Sequence, residues 1–589
     1  MSPEFHVDHL LEDYASGRAV PTDILQEVIR RIENGPQIIW NARNSAEQVM
    51  ARAQTVMESA RRFASLSSAI RAMPLYGIPF AVKDNIDTAG LPTTAGCPDY
   101  SYDPEESAYV VQRLEAAGAI LIGKTHMDQF ATGLTGTRSP SGPCENAYDP
   151  EYISGGSSSG SALAVALGQV SFSLGTDTAG SGRVPAAFNN IYGLKPSRGL
   201  VSTRGVVPAC RSLDCVSIFA GNAKGAKLVL DTIAKFDPED AYSRRIHQSD
   251  PGTSPKRSLG IPVSSALELD SEYTDCWKNA VQFLDSIEIE TVEVDIGPLL
   301  EAARLLYEGP WIAERYAAVG RFIEEHSDWV LDVTRKIILG GREVEGAKCF
   351  EAMYRLEELR RKSERIFEGL DAMVLPTTPG IYTIAAVQAD PVALNSRLGT
   401  YTNFMNLLDL CGLAIPAGFT TDGLPFGITL IAPAGCDQRL LAIANQLKES
   451  LTMSTSKSYS LMVCGAHMSG MALNHELTDR NAKLAKKTAT AAKYRFYALP
   501  GEGVIRPGLV RVPDGESDKG ASIDVEVWDL PADRWGDFIA GIPAPLCIGS
   551  VELEDGTWVK GFLCEAQAVQ TKDAKEITSL GSWRVFMQQ

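Results

Sequence analysis

Short apolar runs that alternate with helical segments and glycine-rich loops constrain this chain most. Ile78–Val82, Ala119–Ile122, Ala372–Leu375 and Ile428–Ile431 are strand-length and β-prone, and stretches with helical spacing lie between them. That alternation specifies an α/β domain with a large central sheet covered by helices. The N-terminal part reads as helical. Thr22–Ile32 puts Leu25, Val28, Ile29 and Ile32 on one face, and Ser45 followed by Gln48 is a capping-box start.

At 589 residues the chain exceeds one ordinary core. The texture changes after the helical segment Leu440–Leu451, where a Ser/Thr-rich stretch reads as a linker. The expected organisation is a first domain at 1–453, a linker at 454–460 and a smaller α+β domain at 461–589. In the last of these, strand and turn signals recur at Tyr494–Leu499, Ser522–Trp528 and Ser550–Gly561.

A hydrophobic content of 44% with 22% charged residues fits a globular protein. No apolar run reaches the length of a membrane span, and the N-terminus has no secretory pattern, so a cytoplasmic protein without a membrane partner is expected. The formal net charge of −18 argues against a nucleic-acid partner. The 11 cysteines are scattered with no metal-ligand spacing; even Cys210 and Cys215 read as buried thiols, and no metal is expected.

Three segments carry chemistry. Ser154–Ser161 (SGGSSSGS) and Leu174–Ala186 (LGTDTAGSGRVPA) are serine- and glycine-rich loops around the apolar stretch Ala162–Val170. In the second loop, Thr178, Ala179 and Gly180 precede Ser181, and their amides can form an oxyanion hole. Taken singly, such loops are more often turns, and neither has the GxxxxGK[ST] pattern of a phosphate cradle. Lys83 ends the strand in GIPFAVKDNID. A lone lysine is usually a solvated charge, but one leaving a buried strand has a depressed pKa and can act as a base. None of the seven histidines belongs to HExxH or a GxSxG-type triad.

Together the Lys83, Ser157 and Ser181 segments resemble the amidase signature family over roughly residues 20–450, including the 24-residue separation of the two serines. The resemblance implies a large mixed sheet, Ser181 as nucleophile, Ser157 after a cis peptide as proton relay and Lys83 as base. It implies no cofactor. The loops depart from the family pattern in two places, with Ser159 where many relatives have glycine and AGSGR where many have GGSIR. His126 in GKTHMDQF stands where relatives usually have asparagine.

Further segments resemble the allophanate hydrolase branch of that family. In the first domain they include STRGVVPACRSLDCVSIF and TYTNFMNLLDLCGLAIPAGF. In the second they include VCGAHMSGMALNHEL and IPAPLCIGSVELEDGTWVKGFLCE. The branch implies a small anionic amide substrate, held by Gly133, Tyr307 and Arg315. A guanidinium clasps a carboxylate through two hydrogen bonds, and Pro310 suits the first turn of the helix that would present Arg315. On residues alone Arg315 reads instead as a surface ion pair. The branch also implies a decarboxylation aided by the second domain, for which His475 and His467 both remain candidates and His475 is slightly preferred. A homodimer and a functional link to a urea carboxylase are implied too. The alternatives are a general amidase, a glutamine-using amidotransferase component, or a noncatalytic scaffold on the same fold.

Overall fold

The computed structural model describes all residues except 1–4, 250–256, 288, 327, 456–457, 481, 502–504 and 514–519. The chain divides into two compact units, Met1–Leu447 and Lys448–Gln589.

Eleven strands make the sheet of the first unit. They are β1 (Trp40–Arg43), β2 (Pro79–Lys83), β3 (Ile120–Thr125), β4 (Phe172–Asp177), β5 (Tyr192–Lys195), β6 (Cys215–Ala220), β7 (Ser258–Pro262), β8 (Glu290–Val294), β9 (Ala372–Pro376), β10 (Leu410–Phe419) and β11 (Pro425–Pro433). Their order is β1-β3-β2-β4-β6-β5-β10-β11-β9-β7-β8. The sheet is mixed, as expected: β3-β2-β4 and β9-β7-β8 pair in parallel, while β4-β6-β5-β10-β11-β9 pair antiparallel.

Every residue of β2 to β6 is buried, and β2 and β3 correspond to the apolar runs Ile78–Val82 and Ala119–Ile122, as expected of strands covered on both faces. Ser45 caps the helix Ala46–Ala60 through the Gln48 amide in a reciprocal capping box. The helix after the first Ser/Gly loop spans Ser159–Ala166, so it begins inside the loop and earlier than the apolar stretch suggests. Parallel pairing of β2 with β4 places the C-terminal end of β2, and hence Lys83, beside the loop that follows β4.

Of the expected linker 454–460, residues 454–455 end the helix Asp437–Thr455 and 458–460 open β12 (Ser458–Val463), while 456–457 lie outside the described residues; the compact units divide earlier than the expected 453, after Leu447. The second unit joins β12 to β13 (Lys483–Ala489), β16 (Asp524–Pro531), β17 (Leu546–Glu552) and β18 (Trp558–Cys564) in one five-stranded sheet. A three-stranded sheet holds β14 (Tyr494–Leu499), β15 (Arg506–Arg511) and β19 (Lys575–Glu576). The strand signal at Ser550–Gly561 is a hairpin, because Asp555 and Gly556 supply a turn in its middle, with Gly556 at φ 81°. The Leu461, Val527 and Phe562 side chains belong to this unit's own core.

Candidate active site

The sheet register brings Lys83, Ser157 and Ser181 into one hydrogen-bonded row. Lys83 Nζ lies 2.8 Å from Ser157 Oγ, which lies 2.9 Å from Ser181 Oγ. A second bond of 2.8 Å from Lys83 Nζ to Thr176 Oγ1 fixes the amine against β4. Lys83 and Ser157 are wholly buried and Ser181 is 3% exposed. Burial pushes the Lys83 amine down to about 7, against the opposing pull of Asp128, Asp214 and Asp177 and with a smaller push from Arg315. A hydroxyl that can pass its proton through a second hydroxyl to a neutral amine is competent for nucleophilic acyl transfer.

Two loops hold the serines. The Gly156–Ser157 peptide is cis. The Ser157 carbonyl accepts from the Asp128 amide at 3.1 Å, and the Asp128 carboxylate accepts from the amides of Gly136 (3.1 Å) and Arg138 (2.8 Å). The Ser181 loop is anchored by a buried bidentate pair. Arg183 donates to the two Asp177 oxygens at 2.8 and 2.9 Å, and the Gly182 amide adds 2.9 Å. Burial alone would raise the Asp177 pKa, but the Arg183 guanidinium outweighs it and holds the carboxylate below its ordinary range. Gly180, at φ 150°, passes so close to Thr402 Oγ1 that a Cβ there would sit 2.6 Å from it.

Thr178, Ala179 and Gly180 lead into Ser181. Among the described residues, none of their amides serves a turn or loop hydrogen bond. Thr178 Oγ1 donates to Asp214 at 2.5 Å, and Asp214 also accepts from the amides of Ala209 and Cys210 at 2.8 and 3.2 Å. Asp214 therefore ties the Ser181 loop to the 209–210 segment. Asp128, Thr176, Asp177, Arg183 and Asp214 did not stand out in the sequence. The six-residue offset of Asp177 and Arg183 across the loop is a local signal that marks that pair.

Arg315 is 4% exposed, not a surface residue, and it makes no ion pair among the described residues. Its guanidinium donates to the Ala131 carbonyl at 3.3 Å and to Thr132 Oγ1 at 3.0 Å. Its helix begins at Ile312 rather than at Pro310, whose carbonyl accepts from the Ala313 amide at 2.9 Å. Gly133 follows Thr132, and a Cβ there would meet Asp128 Oδ2 at 2.6 Å. Tyr307, on the helix Gly297–Glu308, packs with Ala179 in one apolar cluster. The expected binding residues thus lie around the serine loops, and among the described residues the Arg315 guanidinium donates to two neutral groups, with the Asp214 and Glu314 carboxylates near enough to act on it.

The family profile described as amidase matches residues 24–441. The chain belongs to the amidase family. A second profile, the allophanate hydrolase C-terminal domain, matches residues 459–588. Urea amidolyase of Saccharomyces cerevisiae is 43% identical over 547 residues, which are 88% of this chain and 30% of that protein. The chain thus spans about 30% of the length of its urea amidolyase relatives, a second of which comes from Lachancea kluyveri. The structure of Kluyveromyces lactis allophanate hydrolase matches over 99% of both chains, with 40% identity and a TM-score of 0.70. A glutamyl-tRNA(Gln) amidotransferase polypeptide of Thermus thermophilus is 33% identical over 74% of the chain and 95% of that protein.

The second unit of the chain holds a cavity of about 220 Å³ whose lining includes His467, Glu476, Arg506, Phe538 and Phe562. His467 Nε2 lies 3.0 Å from Glu476 Oε2, and its ring stacks on Phe562. Burial lowers the His467 pKa despite the pull of Glu476. His475 does not line this cavity; it is exposed, with Nδ1 3.0 Å from the Ala472 carbonyl. All 11 cysteines are free thiols, and all but Cys349 and Cys547 are buried. Among the described residues, no helix is long and apolar enough to cross a membrane.

Proposed function

We propose that the chain is an allophanate hydrolase acting through a Ser181–Ser157–Lys83 relay. The observation that carries this reading is the match to K. lactis allophanate hydrolase along both units, 99% of each chain. With Lys83 charged, donation runs from Lys83 to Ser157 to Ser181. With Lys83 neutral both hydroxyl bonds reverse, and the Ser181 proton moves through Ser157 to the amine as Ser181 Oγ bonds to the terminal amide carbon. The amides of Thr178, Ala179 and Gly180 hold the oxyanion, each such donor being worth about 3–4 kcal/mol of barrier.

The proton returns to the leaving nitrogen, the C–N bond breaks and ammonia departs. Water, deprotonated by the same relay, hydrolyses the acyl-Ser181 ester and releases N-carboxycarbamate. Arg315, with Tyr307 and Gly133, orients the substrate carboxylate; a buried guanidinium whose hydrogen-bond partners among the described residues are neutral suits an incoming anion.

The second unit promotes loss of carbon dioxide from N-carboxycarbamate, giving carbamate and finally a second ammonia and a second carbon dioxide. The cavity around His467 and Glu476 favours His467 over His475 for this step. Supply of allophanate falls to a urea carboxylase, on this or another chain, since the urea amidolyases extend far beyond the matched region. A cytoplasmic location agrees with 11 free thiols, and a homodimer follows from the resemblance.

The alternative of a glutamine-using amidotransferase component leaves Lys448–Gln589 without a role. Ammonia release by purified protein from fresh allophanate, glutamine and simple amides separates the two. Turnover confined to allophanate is expected; turnover of glutamine but not allophanate would overturn the proposal.

A further inference from the structure

The last residue of β3 and the three after it, Thr125–Asp128, run along the start of the helix that carries Ser157 at its entry. Four contacts join them. Asp128 N donates to the Ser157 carbonyl at 3.1 Å, Gly160 N donates to the His126 carbonyl at 3.1 Å, and Thr125 Oγ1 lies 2.7 Å from Ser161 Oγ. The fourth is His126 Nδ1, 3.1 Å from Ser159 Oγ. A Cβ at residue 160 would sit 2.6 Å from the His126 amide, so the approach is as close as glycine permits. His126 and Ser159 thus touch each other across the two segments.

The ring's tautomer follows from its other nitrogen. His126 Nε2 lies 3.1 Å from the Gly142 carbonyl, which only accepts, so Nε2 carries the hydrogen. The Nδ1 of the neutral ring is then an acceptor, and the Ser159 hydroxyl donates to it. The Cys144 thiol, 3.2 Å from the same nitrogen, is a weaker donor. The ring is 1% exposed. Burial keeps it neutral against the pull of Asp128, and Cys144 in the facing loop is itself held neutral by burial, its thiol pushed up to about 12.

We propose that His126 is a positioning residue for the relay: by accepting from Ser159 and donating to Gly142, it fixes the register of the Ser157–Ser159 turn. That register determines whether Ser157 Oγ reaches Lys83 and Ser181 together. Ser157 has little freedom to spare, because its hydroxyl bridges two partners at 2.8 and 2.9 Å. Displacements near 1 Å at such a site cost on the order of 10²-fold in rate.

The inference rests on the Ser181 relay proposed above but not on allophanate as substrate. Its test therefore follows the inactivation rate of Ser181 by phenylmethylsulfonyl fluoride as a function of pH, beside allophanate kcat and KM. Asparagine places its amide oxygen where His Nδ1 lies, and glutamine places its amide nitrogen where Nε2 lies. H126N keeps the Ser159 bond, whereas H126Q keeps only the Gly142 bond.

H126Q and S159G are each expected to slow inactivation and kcat about 10- to 100-fold, with KM little changed and the acid limb moved to higher pH as the Lys83 site loosens. H126N recovers most of the rate, and H126Q/S159G is no slower than either single variant. Wild-type rates and pH profiles in H126Q and S159G, or fully additive losses, overturn the proposal. So does equal loss in H126N and H126Q. A wild-type protein inert toward allophanate but normally inactivated at Ser181 would instead contradict the substrate reading alone.

Discussion

Lys83 Nζ stands 2.8 Å from Ser157 Oγ at a position with no solvent exposure, so the base of the proposed relay is an amine deprived of water. Burial brings its pKa to about 7. Only the neutral amine can take a proton, so activity rises with pH through this value and levels off above it. The expected kcat profile falls about tenfold per unit below pH 7, and Lys83→Met lacks both the limb and the activity. An unchanged rate down to pH 5 would remove Lys83 from the mechanism.

Arg315 offers a buried cation whose hydrogen-bond partners among the described residues are a carbonyl and a hydroxyl. Arg315→Met leaves a substrate carboxylate unpaired in a dry site. We expect kcat/KM for allophanate to fall by an amount equivalent to about 2–5 kcal/mol, chiefly through KM. Steady-state kinetics beside a melting curve separate this loss from a folding defect. A normal KM in a folded variant would assign the carboxylate to another group.

Arg183 and Asp177 form a pair with neither side chain exposed. Arg183→Met strands the Asp177 carboxylate, and the expected cost in stability is about 3–5 kcal/mol. Denaturant unfolding of the first unit's transition reads it directly. A variant as stable as the parent would mean that the Ser181 loop is held by other contacts, such as the Asn406 amide bonded to the Asp177 carbonyl at 2.8 Å.

In the second unit, His467→Asn is expected to leave release of the first ammonia intact while N-carboxycarbamate accumulates. His475→Asn, on an exposed turn, changes neither step. Carbon-13 spectra of the reaction mixture at early times distinguish these outcomes, and accumulation in the His475 variant alone would reverse the assignment.

Much of the architecture was legible in the residues because buried strands are short and apolar: β2, β3, β9 and β11 lie within a few residues of Ile78–Val82, Ala119–Ile122, Ala372–Leu375 and Ile428–Ile431. Helix entry at Ser45 was readable because capping is a local exchange of hydrogen bonds. Strand order was not, since β10 pairs with β5 across more than two hundred residues. The network behind the serines was hidden for the same reason. Asn406 reaches the Asp177 carbonyl 229 residues away and Asp214 reaches Thr178 36 residues away; the amides that Asp128 and Asp214 cap lie only 4 to 10 residues off, but nothing local marks which aspartate a loop will fold back onto. The burial of Arg315 was likewise invisible, because a helical arginine after Glu314 looks like a surface pair until the fold encloses it.

The most direct test of the relay is ammonia released from fresh allophanate by the wild type and by Ser181→Ala at pH 8, with a melting curve to verify folding. Steady release by the wild type and none above background from a folded Ser181→Ala are the predicted results. Substantial release by that variant would contradict Ser181 as the nucleophile and the relay built on it.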